Sequence, residues 1–384
     1  MAERTSEVVV IGGGLIGLAI AWRLAADGIQ VTVCDPTPGS RTSAVAAGML
    51  APVTEVEYGE DELLALNLAS VAAWPGFAAE LEELTGRPAG LNRTGTLSVA
   101  YDADDVAALR RLADYQRRLG LEVEELTGRE VRMREPLLAA GVSGGVWVAG
   151  DHSVDNRQTV AALLRATELT GVQLERQQVS RVLTAGTAAV GVELEDGSTI
   201  RSAQLIAATG PWSAQLQGIP EELRPPVRPV KGEILRLRVP EAYRPALHHT
   251  IRATARGFSV YLVPRPGGEL VVGATTTELG YDTRVLAGGV FSLLRDARMV
   301  LPITDELELV ETVAGLRPAT PDNAPILGAS GLDGLLWATG HYRNGVLLTP
   351  ITAQVIAETV RTGRIPDLAA PFAADRFSAP KVAG

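Results

Sequence analysis

Apolar residues come in short continuous runs near both ends of this chain and alternate with polar ones between. Residues 7–11 form a run bounded by glycine, residues 16–26 carry a helical pattern that stops at Gly28, and residues 29–34 form a second run. Strand, helix and strand in that order make a βαβ unit, so the chain opens with a parallel sheet. Helices are predicted at 63–85, where Pro75 is placed to kink or divide the rod, at 102–119 behind an Asp102 cap, and at 156–170. Strands are predicted at 94–100 and 142–148. A meander of 172–183, 188–194 and 198–201 follows, turning at Asp196-Gly197, and a buried strand at 204–208 ends at Gly210.

From 228 to 273 the pattern becomes antiparallel. Leu235, Leu237 and Val239 share one face of a strand while Arg236 and Arg238 share the other. Residues 258–263 and 269–272 pair around Pro266-Gly267-Gly268, and a helix at 289–301 precedes a strand at 308–316. The last strand, 335–338, leads into a glycine-rich loop. A final helix has Thr349 as cap, Pro350 at its first position and Gly363 just past its end. Parallel character at the start, middle and end implies one domain assembled from separated segments, with an antiparallel one inserted.

Composition narrows the class. A length of 384 residues suggests two domains, and 46% hydrophobic with 21% charged residues is the balance of a globular protein, which excludes fibre and disorder. A net charge of −10 disfavours nucleic acid as a partner. Cys34 is the only cysteine and there are four histidines, so no disulfide framework and no metal site are expected, and a cytoplasmic location fits. The longest apolar stretch, 8–22, holds four glycines and is too short for a membrane span, so no membrane contact is expected. Lysine occurs only at positions 231 and 381, so an arginine taken at random here is a weak functional signal.

Candidate chemistry begins with Gly12-x-Gly14-x-x-Gly17, between the first strand and the first helix. Gly12 permits a tight turn, Gly14 lets backbone approach a pyrophosphate and Gly17 lets helix and sheet pack closely. The helix N-terminus supplies donors for phosphate, and Asp35, closing the second strand, suits ribose hydroxyls. A dinucleotide is therefore expected. Two distant segments, the strand ending Ala208-Thr209-Gly210 and the loop from Gly340 to Gly345, point to a long cofactor contacted from both ends of the chain.

Several stretches then occur in a telling order: the N-terminal fingerprint, Arg41-Thr42-Ser43 to Pro52, the Ala-Thr-Gly strand, Val260-Tyr261 to Arg265, Val272 to Thr275, Ala314 to Pro318, and Gly340-His341-Tyr342-Arg343-Asn344-Gly345. Together they resemble the D-amino-acid oxidase family of flavoproteins, over nearly the whole chain, and most nearly its glycine-oxidising branch. The resemblance implies an α/β (α+β overall) fold, a Rossmann-like FAD-binding domain with an inserted antiparallel-sheet substrate domain. Residues 1–88, 142–226 and 312–375 fall to the first, 89–141 and 227–311 to the second, and 376–384 to a tail. It implies noncovalent FAD held by Gly12, Gly14, Leu15, Ile16, Gly17, Asp35, Arg41, Thr42, Ser43, Ala47, Gly48, Met49, Val179, Thr209, Gly210, Trp212, His341, Arg343, Asn344, Gly345, Val346 and Leu347.

The family's chemistry is hydride transfer from an amino acid's α-carbon to flavin, with the substrate aligned by its carboxylate. Arg317 matches the carboxylate-binding arginine, Tyr261 its phenolic partner, and Arg343 a third position near substrate and flavin; Met49 packs against the ring system. Ser259 and Thr276 stand where the glycine-oxidising branch has a histidine and a methionine, so the pocket either admits larger amines or holds water. The implied activity is oxidation of glycine, with sarcosine or small D-amino acids also in view, to an imine while O2 becomes H2O2. The imine would supply thiazole formation for thiamine, and a homo-oligomer, a tetramer by family likeness, is expected. The competing readings are a D-amino-acid dehydrogenase passing electrons to a quinone and a flavin-binding module without turnover.

Overall fold

The structure is a computed structural model and describes residues 4–377. Its organising element is a six-stranded sheet in the order Gln173–Glu175, Val31–Cys34, Val8–Ile11, Gln204–Ala207, Leu335–Thr339, Ile326–Ala329. Every pairing is parallel except the last. Val8–Ile11 and Val31–Cys34 are buried throughout, as strands covered on both faces must be. Helices Leu15–Ala26, Asp61–Thr85, Asn156–Leu169 and Thr349–Thr362 share a core with one face of this sheet. The meander covers the other. After Val8–Ile11 the chain moves to one neighbour and, much later, returns to the other. This reversal opens a crevice at the strands' carboxyl ends, where Gly12 and Thr209 meet.

The second large sheet has eight strands: Glu308–Ala319, Arg228–Arg238, Glu269–Gly273, Phe258–Pro264, Thr250–Ala255, Thr96–Ala100, Gly144–Val148 and Glu124–Thr127. All its pairs are antiparallel except Thr250–Ala255 with Thr96–Ala100. One face packs on the Ala287–Val300 helix in a core of Leu235, Leu237, Leu262, Val272 and Leu293. The opposite face turns toward the crevice of the first sheet.

Several expectations need correction. The strand expected over 172–183 divides: Gln173–Glu175 joins the parallel sheet and Val179–Ala185 the meander, with the polar residues 176–178 between. Arg236, on the same strand face as Arg238, is nevertheless buried. It is 1% exposed, because Glu269 at 2.6 Å and Glu311 at 3.4 Å match its charge, whereas the Arg238 side chain stands in solvent. Pro75 leaves Asp61–Thr85 a continuous 25-residue helix, since Trp74, Phe77 and Leu81 pack into one core on either side of it. That helix is apolar and long enough to cross a membrane, but here Trp74 and Leu66 are fully buried inside the protein. Thr349 is the first helical residue rather than the cap: Leu348 holds that position and the Thr349 hydroxyl donates back to Gly345 O at 2.9 Å.

Sheet membership also departs from the expected division. Gly144–Val148 and residues 312–319, both assigned to the cofactor side, hydrogen-bond into the eight-stranded sheet. The expected tail from 376 begins with Arg376 paired to Asp322 at 2.8 Å and Phe377 packed on the meander core; the rest of it lies outside the described residues. Short elements with little periodicity, such as Thr42–Val45 and Gly128–Arg134, were not expected at all. The Asp102 cap is present as a full capping box with Asp105, and Gly363 ends the last helix at φ 71°.

Candidate active site

One cavity of about 900 Å³ runs from the crevice between the parallel strands to the face of the large sheet. At its inner end Gly12 adopts φ 104°, and a Cβ there would lie 2.5 Å from Ala208 O. The chains on the two sides of the crevice therefore touch only because position 12 has no side chain. Gly17 does not line the cavity; a Cβ there would lie 1.9 Å from Gly12 O, so it serves the helix–turn packing alone. The Leu15–Ala26 helix starts at Gly14 with no side-chain cap, and Ser43 Oγ accepts the Leu15 N–H at 2.9 Å. Asp35 accepts from Gly13 N at 2.8 Å and from Thr37 N at 2.8 Å. Each oxygen keeps a lone pair for a hydroxyl donor.

Cys34 lines the same end as a buried thiol pushed up to about 12, first by burial and then by the Glu175 charge. It is a neutral, inert wall residue.

Residues 41–49 connect the two ends. Thr42 Oγ1 donates to Leu316 O at 2.9 Å, tying this segment to the strand that carries Arg317. Arg265, deep in the protein, donates to Val154 O at 2.6 Å and to Ala47 O. Gly48 sits so close that a Cβ would meet Val154 O at 2.0 Å. Arg41 stacks over Trp212 at 4.7 Å. Arg41, Thr42, Gly48 and Trp212, with Ala47, Met49, Val179, Thr209 and Gly210, all line the cavity.

From the last strand come His341, Arg343, Gly345 and Val346. Burial pulls His341 down to about 3, so its ring is neutral, with Nε2 3.0 Å from the Thr352 hydroxyl. A folded form that refuses a proton until about pH 3, against an unfolded one that takes it near ~6.5, loses stability as pH falls through that window. His341→Gln is expected to remove this contribution. The gap in urea midpoint between pH 7.5 and pH 5 should shrink in the variant; an equal gap would show that His341 titrates normally. Asn344 and Leu347 are not brought to the cavity. Both are buried, and Leu347 O accepts from Ser70 Oγ at 2.6 Å and Trp74 Nε1 at 2.9 Å, which locks the loop to the long helix.

At the outer end Arg317 and Tyr261 meet. Arg317 lies across Gly232, where a Cβ would come within 2.5 Å of its guanidinium; Tyr261 lies across Gly273, where a Cβ would be 2.3 Å from the phenol oxygen. Two glycines of adjacent strands thus form the seat for both side chains. Arg317 donates to Thr275 O at 3.2 Å and has no carboxylate within ion-pair distance among the described residues. Burial raises Tyr261 above the ordinary phenol value, with the Arg317 charge pulling the other way, so the hydroxyl stays protonated and can donate.

Arg343 lines the cavity wall and pairs with Glu57 at 3.0 Å and Glu60 at 2.7 Å, which ties residues 57–60 to this loop. Ser259 and Thr276 line this end, as do three residues not singled out from sequence: Glu55, Arg252 and Thr254. Arg252 is legible only as one of the three polar positions in the alternating stretch Thr250–Ala255.

The inner crevice, with its missing Cβ atoms, its open helix N-terminus and its hydroxyl-accepting Asp35, fits a dinucleotide. Met49 and Val346 both line the cavity. Residues 7–359 match the family model DAO, FAD dependent oxidoreductase. The chain belongs to that family.

Members of the DAO family bind FAD, and the residues described above would hold it here. The glycine oxidase of Geobacillus kaustophilus is 36% identical over 374 residues, 96% of this chain and 97% of that protein. Its crystal structure superposes with a TM-score of 0.90, covering 98% of this chain and all of that one. The bifunctional protein ThiO/ThiG of Synechocystis sp. is 34% identical over 98% of this chain, which spans only 54% of that relative. The chain is therefore about half the length of the bifunctional relatives it matches.

Proposed function

We propose that this chain is an FAD-dependent amine oxidase that takes glycine, with sarcosine and small D-amino acids as further candidates, to the imine while O2 is reduced to H2O2. The observation that carries this reading is Arg317: a guanidinium without a carboxylate partner, seated on Gly232 beside a protonated phenol, in the cavity that holds the nucleotide crevice. That pair presents parallel N–H donors and an O–H donor to one substrate carboxylate. Fixing the carboxylate fixes the α-carbon, and positioning is most of what the protein must contribute. FAD, when bound, supplies the two-electron acceptor.

No acid–base group beside this pair is needed if the amine enters neutral. His341 is suited to shape the wall, not to take a proton. Likeness to glycine oxidases and to the bifunctional relatives supports glycine as substrate. We extend the proposal to supply of thiazole formation for thiamine, a cytoplasmic location and a homo-oligomeric, tetrameric assembly, each by resemblance to the family. The test is a glycine-dependent peroxide assay on the purified yellow protein. Peroxide formed in step with glycine consumed is expected; bleaching by glycine without reoxidation by O2 would instead indicate a dehydrogenase.

A further inference from the structure

The strand Arg228–Arg238 presents Gly232 and Ile234 to the cavity, while Lys231 and Glu233 stand on its other face. Glu233 reaches the first turn of the Ala287–Val300 helix, where a Cβ on Gly289 would lie 1.6 Å from its Oε2. Both charged residues are buried, Lys231 completely and Glu233 to 3% exposure, and their charged ends lie 3.4 Å apart. An ion pair therefore sits directly behind the glycine on which Arg317 is seated.

A buried pair of charges is costly to desolvate unless its remaining donors and acceptors are met. Here they are met by the segment that follows the strand Glu269–Gly273. Lys231 Nζ donates to Arg284 O. Glu233 Oε1 accepts from Leu286 N at 2.8 Å, and its Oε2 accepts from the Thr275 hydroxyl at 3.2 Å. That hydroxyl in turn accepts from Glu233 N at 2.9 Å, and Thr275 N donates to Glu233 O at 3.2 Å. Residue 275 is thus tied to residue 233 by three hydrogen bonds. Lys231 and Thr277 exchange two more, at 2.8 and 3.0 Å, just beyond.

Thr275 closes one of the stretches that stood out in the sequence, yet it does not line the cavity. What it offers the site is its carbonyl, to which Arg317 Nη1 donates at 3.2 Å. The choice of acceptor matters. A carboxylate in contact with Arg317 would orient the guanidinium but also spend its charge. A neutral carbonyl orients it and leaves the charge for a substrate anion. Glu233 stays behind the strand and fixes that carbonyl from there.

We infer that Thr275, anchored by Glu233 and Lys231 from the far face of the sheet, is a positioning residue that holds Arg317 ready for a substrate carboxylate. The inference rests on the amine-oxidase reading above and assigns that site three further residues, none of which touches substrate. A guanidinium fixed before binding loses less freedom when the carboxylate arrives.

The experiment titrates flavin-loaded wild type, Thr275→Val and Thr275→Ser with acetate, followed in the flavin absorption bands, and measures kcat and KM for glycine in parallel. Thr275→Val removes the hydroxyl. It is expected to raise the acetate dissociation constant and the glycine KM about tenfold each, with kcat and flavin content held. Thr275→Ser keeps the hydroxyl and should stay near wild type. Lys231→Met/Glu233→Gln leaves no buried charge unpaired and should move both constants in the same direction as Thr275→Val. In an Arg317→Ala background, Thr275→Val should cost almost nothing further in kcat/KM, because a residue acting through Arg317 has nothing left to act on. Unchanged acetate affinity and KM in Thr275→Val, or the full loss repeated in the Arg317→Ala background, would overturn the inference while glycine oxidation stands. A flavin-loaded wild type inert to glycine would remove the oxidase reading instead, and the acetate titrations would still decide how Arg317 is placed.

Discussion

Arg317→Ala is expected to lower kcat/KM for glycine by about 10²–10⁴-fold, almost wholly through KM, while the protein stays yellow. Removing one partner of a largely desolvated charge pair costs about 3–5 kcal/mol, and the substrate carboxylate would then face Tyr261 alone. The flavin end should not notice, since Arg317 touches Thr275 O and the seat at Gly232, not the fingerprint. A companion variant separates position from charge. Gly232→Ala keeps the guanidinium but places a methyl where its nitrogen now lies, 2.5 Å away. The far end of an arginine can shift, so the fold should survive while KM rises. Steady-state kinetics with flavin content measured in parallel check both. An Arg317→Ala enzyme with ordinary glycine kinetics would remove this residue from the site.

Gly12→Ala is the second large effect, and it should appear in the cofactor rather than the substrate. At φ 104° an alanine is strained by about 1–3 kcal/mol, equivalent to roughly 5–150-fold in affinity if relief comes by opening the crevice. The added Cβ, 2.5 Å from Ala208 O, pushes apart the two strand ends between which the pyrophosphate would lie. The variant should purify with much less flavin, and its FAD dissociation constant should rise. Gly28→Ala is the control: it too has positive φ, at 85°, but its Cβ meets nothing within 4 Å. That variant should lose a little stability and no flavin. Equal flavin content in both would show that the close approach at Gly12 is not part of the cofactor site.

What could be read from the chain follows from how local each determinant is. The fingerprint needs a strand, a turn and a helix within 25 residues, so Gly12, Gly14 and Asp35 announce themselves. Arg317 and Tyr261 are 56 positions apart, and their partnership depends on Gly232 and Gly273, which look like ordinary strand glycines until the registers are known. Arg236 illustrates the reverse. Alternation correctly separates its face from the leucines, yet whether that face meets water depends on Glu269 and Glu311 arriving from two other strands. Arg252 and Glu55 are 197 residues apart and carry no motif. Arg343 sits in a recognisable loop, but the carboxylates that occupy it come from the segment before the long helix.

The state of Cys34 bears on durability. If oxygen is the acceptor, every turnover releases an oxidant inside a cavity whose wall includes the chain's sole thiol. With burial pushing that thiol up to about 12, the sulfur stays protonated at neutral pH. Sulfenic acid formation proceeds from the anion, so a thiol kept protonated is a poor target for that oxidant.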